Sequence, residues 1–379
     1  MVSTSWTGVL GLAAALAGCV ESEVSTGIDR LRLVGEPVAL VDQPPLVTYA
    51  TATYATATAT PAFTYVASVD APVLAGQKVQ ATNFASDGAR AYVVYNTAGS
   101  SIAGGLDVLD VSHVDAPALL ASRISNQTEY SDVVIKGSNV YTVGSRADGG
   151  ILTVWDVQTP ANPTVVTTLG LGSEYATSIE IEGDYAYITV GTLGGVVVVR
   201  VSQPAAPQIV RVTNAANSLY LRRSQGINLV LGGAQGFGLY GEESGTYWPM
   251  VAIADAPVPA PGRFATAGHR LFTNGGQTGL TTIDLASNSK TATLASHTAL
   301  SGTGNGIDSS TSYLFLAQGD AGVMVYSLIT TVPSYLGHFD FPDARGSANE
   351  VRYALHQTGY GYLFLSDGAA GFRILKFTE

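Results

Sequence analysis

The sequence predicts an all-β fold, a closed ring of seven four-stranded blades, and three observations carry that prediction. A unit of two apolar runs around a glycine-rich turn recurs every forty-odd residues from about Asn83 onward, the spacing at which four strands make one blade. In the early units the second run opens on Gly-Gly and then alternates aliphatic residues, as in Gly194-Gly195-Val196-Val197-Val198-Val199, the pattern of a short strand. A proline-rich turn follows each such run, because proline cannot donate to a ladder and ends the strand.

Composition fits this reading. Of 379 residues, 46% are hydrophobic and only 12% charged, with 43 glycines, a balance suited to many short buried strands joined by tight turns. Length alone would suggest two or three domains, but all-β units run long, so the repeat decides the count. The net charge of -11 argues against a nucleic-acid partner, since phosphate-backbone binding needs clustered Lys and Arg.

From the N-terminus, Gly8 to Ala17 is an apolar run of the length of a signal h-region and too short to span a bilayer. It ends in Leu16-Ala17-Gly18-Cys19, which resembles the lipobox of bacterial lipoproteins. That resemblance implies a signal peptide over 1–18, a lipidated Cys19 as mature N-terminus, and an exported protein held on the cell envelope, the outer membrane rather than the inner. Cys19 is the only cysteine, so no intramolecular disulfide forms. Residues 19–62 read as a low-complexity tether containing the run Tyr49 to Pro61, within which the more apolar Leu31 to Val41 can dock on the domain. Residues 63–379 are the repeat domain.

Three strong copies open that domain. Gly104-Gly105 leads through Asp110-Val111-Ser112 to Asp115-Ala116-Pro117, Gly149-Gly150 leads through Trp155-Asp156-Val157 to Pro160 and Pro163, and Gly194-Gly195 leads to Pro204 and Pro207. Each pair is expected to supply the positive φ of a tight connection. Weaker copies begin at Ile227, Leu271, Tyr313 and Tyr362, which makes seven. The last copy stops after its third strand, and Val69-Asp70-Ala71-Pro72 parallels Val114-Asp115-Ala116-Pro117. A strand near Val73 to Val79 is therefore expected to complete the last blade and close the ring, leaving no open edge.

The combination of Gly-Gly, alternating aliphatics, Asp-Val-Ser and a proline-rich turn resembles the LVIVD repeat proteins, surface or secreted proteins of bacteria and archaea. The resemblance covers about residues 63–379, is good in the first three copies, and implies a β-propeller. It implies no defined reaction.

Chemistry-bearing motifs are sparse. His113, His269, His297, His338 and His356 fall in different copies, without zinc spacing. No Gly-x-Ser-x-Gly elbow and no phosphate loop occur. No cofactor is expected, with structural or bound calcium left open. In a propeller the turns between second and third strands share a face with the links between blades. There Arg146, Asp148, Gln235, Gln277, Gln318, Asp320 and Asp367 form a candidate binding face. Tyr240, Tyr247 and Trp248, in the irregular fourth copy, could stack on a sugar. The reading that follows is a non-catalytic binding or scaffold domain recognising an envelope protein or glycan. Its alternative is a propeller hydrolase, lactonase or lyase, metal-dependent or not, whose site residues come from several blades.

Overall fold

The computed structural model describes residues 28–41, 61–74, 76–97, 99, 101–191, 195–213, 218–224, 227–231, 237–243, 246–253, 263–274, 280–284, 289–294, 305–339, 341, 346–355 and 360–378. A 3-10 turn, Ile28–Arg30, precedes β1 (Leu31–Val38) and β2 (Ala62–Val69), followed by the short β3 (Val73–Leu74) and β4 (Gln77–Lys78). Four consecutive strands then form the first blade: β5 (Gln80–Ser86), β6 (Arg90–Asn96), β7 (Gly104–Asp110) and β8 (Ala118–Ser125). The second is β9 (Glu129–Lys136), β10 (Asn139–Arg146), β11 (Gly149–Asp156) and β12 (Thr164–Gly170). The third is β13 (Ser178–Glu182), β14 (Tyr185–Thr189), β15 (Val196–Arg200) and β16 (Gln208–Thr213).

The fourth blade is β17 (Tyr220–Ser224), β18 (Ile227–Leu231), β19 (Phe237–Glu243) and β20 (Thr246–Ile253), and the fifth is β21 (Arg263–Ala267), β22 (Arg270–Asn274), β23 (Leu280–Asp284) and β24 (Ser289–Leu294). The sixth is β25 (Gly306–Ser309), β26 (Tyr313–Ala317), β27 (Val323–Ser327) and β28 (Ser334–Phe339). The chain ends with β29 (Glu350–Leu355), β30 (Gly361–Ser366) and β31 (Phe372–Thr378). First strands lie side by side around a central channel: β5 touches β9, and contact passes on through β13, β17, β21, β25 and β29 back to β5.

The architecture is an all-β propeller, but it corrects the expected seven four-stranded blades closed by an N-terminal strand at Val73 to Val79. Six sheets are four-stranded blades of consecutive strands, and the C-terminal strands lie in a five-stranded sheet ordered β1-β2-β31-β30-β29. The segment expected to close the ring turns back instead at Gly76 (φ 80°), and β3 pairs only with β4. The reason is physical. The free edge of β31 is already occupied, from Ala62 opposite Thr378 to Val69 opposite Phe372 with one register shift between Tyr65 and Ala67, and a strand edge has one set of donors and acceptors to offer.

Apolar side chains of adjacent sheets interdigitate to form the core. Phe63 of β2 sits at ring-centroid distances of 4.9, 5.3 and 6.5 Å from Phe339, Phe377 and Phe315, joining the C-terminal sheet to the sixth blade. Phe84 lies 5.0 Å from Phe372 across the other side of that sheet. The double glycines act mainly through close approach. A Cβ on Gly104 would stand 2.3 Å from the Tyr95 carbonyl oxygen and 2.8 Å from Cα of Glu129 in the next blade. Of the pairs at 104 and 149, only Gly149 has a positive φ, 125°.

The N-terminal segment straps three sheets together. Arg30 sends Nη2 to both oxygens of the buried Asp107 in the first blade at 2.8 Å, and Nη1 to the Asp70 carbonyl at 2.7 Å. β1 lies on β2, and Val41 exchanges backbone hydrogen bonds with His338 of the sixth blade at 2.8 and 3.2 Å.

Candidate functional site

The leading ends of the first strands surround a cavity of about 360 Å³ at one mouth of the channel, within the roughly 300–1,000 Å³ range of small-molecule sites. Its lining is largely amide and hydroxyl, from Gln80, Asn96, Asn305 and Asn349 with Thr82, Ser131 and Thr177, and is completed by Leu219, Tyr220 and Arg263. Several of these groups are fixed by the wall. Asn349 Nδ2 donates to the Ala81 carbonyl at 2.9 Å, Asn305 Nδ2 to the Ala348 carbonyl at 3.1 Å, and Thr82 Oγ1 to the Tyr130 carbonyl at 2.9 Å. Arg263 is the one charged side chain among the described lining residues.

A polar belt runs behind that lining, on residues that flank the buried apolar position of each first strand. Asp132 of β9 accepts from Asn83 Nδ2 at 2.6 Å, from Ser178 Oγ at 2.8 Å and from the Ile179 amide at 3.0 Å. Glu180 of β13 receives Arg222 Nη1 at 2.9 Å, and Arg222 Nε donates to Tyr220 Oη at 2.5 Å. Arg263 lies 4.6 Å over the Tyr220 ring and brings Nη1 to 2.9 Å from Glu350 Oε2. Arg352 Nε stands 3.2 Å from Glu350 Oε1.

Glu350 is 0% exposed, yet among the described residues neither of its oxygens finds a hydrogen-bond donor, and Arg263 Nη1 finds no acceptor. The approaches of Arg263 and Arg352 are therefore ion contacts whose angles fall outside hydrogen-bond geometry. Burying a carboxylate is costly when Coulomb attraction alone offsets lost hydration. Accordingly, burial pushes the Glu350 carboxyl up to about 7 despite the nearby Arg263 and Arg222. Burial likewise raises Glu180 and Asp308. For Arg263, burial works to lower the pKa, but Glu350 opposes it and the net shift is upward. A carboxyl titrating near neutrality against a lining arginine can exchange a proton when the arginine changes partner.

The turns named from sequence do meet the links between blades: Gly319 bridges Ala348, Gly368 bridges Ala81, and Gly191 bridges Ser218. Among the described residues, the polar side chains of these turns sit in different settings, some exposed and some buried. Arg146 and Asp148 pair with each other at 2.9 and 3.1 Å on the surface. Gln318 is buried, with its backbone amide on the Gly322 carbonyl, and Asp320 is exposed beside it. Asp367 is buried against Arg373 Nε, while Arg373 Nη1 donates to Tyr65 Oη at 2.7 Å. Gln235 and Gln277 lie outside the described residues, as do the side chains of Tyr240, Tyr247 and Trp248. The belt and the cavity lining, Arg263 and Glu350 above all, were missed by sequence reasoning. Their one signal is a polar residue beside the apolar centre of each first strand, as in Ser131-Asp132-Val133, Tyr220-Leu221-Arg222 and Glu350-Val351-Arg352.

Among the described residues no group of three or more His, Cys, Asp or Glu is placed to hold a metal ion, and no helix is long and apolar enough to cross a membrane. The third blade, β13 to β16, lies within residues 173–214, which match the LVIVD repeat family. The chain carries an LVIVD repeat. That LVIVD repeat corresponds to one blade together with the link that leads into it. None of the curated proteins matches this chain.

Proposed function

We propose that this propeller is a non-catalytic binding module of the cell envelope, lipid-anchored through Cys19 at the outer membrane, which receives a glycan at the mouth of its channel. The observation that carries the reading is the cavity itself: about 360 Å³, lined mostly by amide and hydroxyl side chains, with Leu219, the aromatic Tyr220 and one arginine, Arg263. Such groups donate and accept hydrogen bonds in the pattern a polyhydroxyl ligand needs, and no carboxylate is among the described lining residues, Glu350 contacting Arg263 from behind them. A protein ligand fits less well, because a protein surface meets loops or an apolar patch and not a recessed polar cup.

The test uses the full chain in detergent on a glycan array and a peptide array, beside a Ser131→Trp variant whose indole fills the cavity. Glycan binding that is lost in the variant supports the reading. Glycan binding that survives this filling of the cup, or binding to peptides only, overturns it. Incorporation of an alkyne-labelled fatty acid, abolished by Cys19→Ser, tests the anchor.

The catalytic alternative draws on one observation, a Glu350 carboxyl that titrates near neutrality beside Arg263. Turnover of ester, lactone or glycoside substrates that Glu350→Gln abolishes would favour it.

A further inference from the structure

The channel cavity carries more than a general polar character. Arg263 lines it, with its guanidinium over the Tyr220 ring and its buried Nη1 resting on Glu350, a partner that it contacts at 2.9 Å without a hydrogen bond to a described residue. A guanidinium gains most from a carboxylate that it can meet with two parallel hydrogen bonds. Gln80, Asn96 and Ser131 also line the cavity and bring amide and hydroxyl groups to it. One cationic fork amid neutral hydrogen-bonding groups is the complement of a small molecule with one carboxylate and several hydroxyls.

We infer that the cavity receives an acidic sugar of the hexuronate class, whose carboxylate takes Arg263 from Glu350 while Glu350 takes up a proton from solvent. This inference rests on the glycan-binding reading above and names the ligand class of that same site. The exchange balances: one carboxylate replaces another on Arg263, and the displaced carboxylate is neutralised. Glu350 faces Arg263 of β21, Arg222 and Tyr220 of β17, Asp132 of β9, Asp308 of β25 and Arg352 of its own strand. With Arg263 engaged elsewhere, burial and the repulsion of Asp132 and Asp308 are opposed, among the described residues, by Arg222 and Arg352 alone, so Glu350 holds a proton more tightly in the bound state and protonation accompanies binding above about pH 7. Its pKa near 7 places that proton uptake in an accessible pH range.

Titration calorimetry of the full chain in detergent tests this with D-glucuronate, D-glucose and acetate at pH 6 and pH 8. Glucuronate is expected to bind at least tenfold more tightly than glucose or acetate at pH 6. Its affinity should fall about tenfold at pH 8, where the Glu350 carboxyl of the free protein is ionised and binding takes up close to one proton, seen as a dependence on buffer ionisation heat, whereas at pH 6 the group is already largely protonated and uptake should be small. Glu350→Gln should bind glucuronate equally at both pH values, and Arg263→Gln should lose the preference over glucose. If Arg263→Gln does not fold, the Glu350→Gln comparison and the proton count decide. Equal, pH-independent binding of glucose and glucuronate would overturn the acidic-sugar assignment and leave the glycan-binding reading standing. Acetate binding as tightly as glucuronate would overturn recognition of the sugar body. No glucuronate binding would overturn the inference, while the arrays with Ser131→Trp judge the binding reading separately.

Discussion

Replacing Glu350 with Gln should change how the stability of the propeller depends on pH. The folded carboxyl titrates at about 7, against 4.5 for an ordinary glutamate, so the folded state holds this proton more tightly than the unfolded chain does. Stability from this group is thus full below about pH 4.5, is lost as pH rises toward 7, and is level above. The distance from 4.5 to about 7, at about 1.36 kcal/mol per pH unit, amounts to roughly 3 kcal/mol. The side chain is wholly buried, so solvent screening takes little from that figure.

Gln keeps the shape and never ionises. At pH 5 both proteins carry a neutral group beside Arg263, and their unfolding free energies should agree within about 1 kcal/mol. At pH 8 the wild type carries the buried charge, and the Gln variant should be the more stable by about 2–3 kcal/mol. Urea unfolding followed by tryptophan fluorescence at both pH values gives the difference of differences, in which any constant effect of the substitution cancels. Parallel pH profiles would sink the prediction, since they would mean that Glu350 is hydrated or already fully compensated.

Other positions give sharper structural tests. Arg30→Met leaves the buried Asp107 with Tyr95 Oη at 2.7 Å and without its cation, and should cost about 3–5 kcal/mol, with Asp107→Asn in the same chain restoring most of it in a double-mutant cycle. Phe63→Ala empties a site between Phe315, Phe339 and Phe377 and should cost about 3–5 kcal/mol, read from the urea midpoint. Gly371→Ala would place a Cβ 2.1 Å from the Val69 carbonyl at a φ of 96°, so that β2 is displaced from β31. Amide exchange in Phe63–Val69 should then accelerate while the second blade, far along the chain, stays protected.

The repeat was legible because it is written in backbone constraints. Gly104 leaves no room for a Cβ where the next blade crosses, and Gly105 none against β8 of its own blade, and prolines such as Pro117 end a ladder, so these residues recur wherever the geometry does. β2 carries neither mark. Its sequence Ala62–Val69 reads as an isolated alternating run, and its pairing with β31, some three hundred residues away, is a long-range choice that local pattern does not encode. The parallel between Val69-Asp70-Ala71-Pro72 and the first-copy turn pointed instead to Val73, where Gly76 reverses the chain.

The site was less legible still. Arg263, Glu350 and Tyr220 differ in type at equivalent positions of their strands, and each looks like a single polar residue in an apolar run. Only closure of the ring brings them within 2.9–4.6 Å of one another. Asp367, named from sequence as part of a binding face, is instead buried against Arg373, whose Nη1 donates to Tyr65 Oη.

A crystal structure of the full chain grown at pH 6 with D-glucuronate tests the channel site most directly. The sugar is expected in the channel cavity, its carboxylate paired with Arg263 at about 2.7–2.9 Å and Glu350 released from that contact. Glucuronate bound on the outer strands, or a cavity in which Arg263 still rests on Glu350 at saturating ligand, would contradict that expectation.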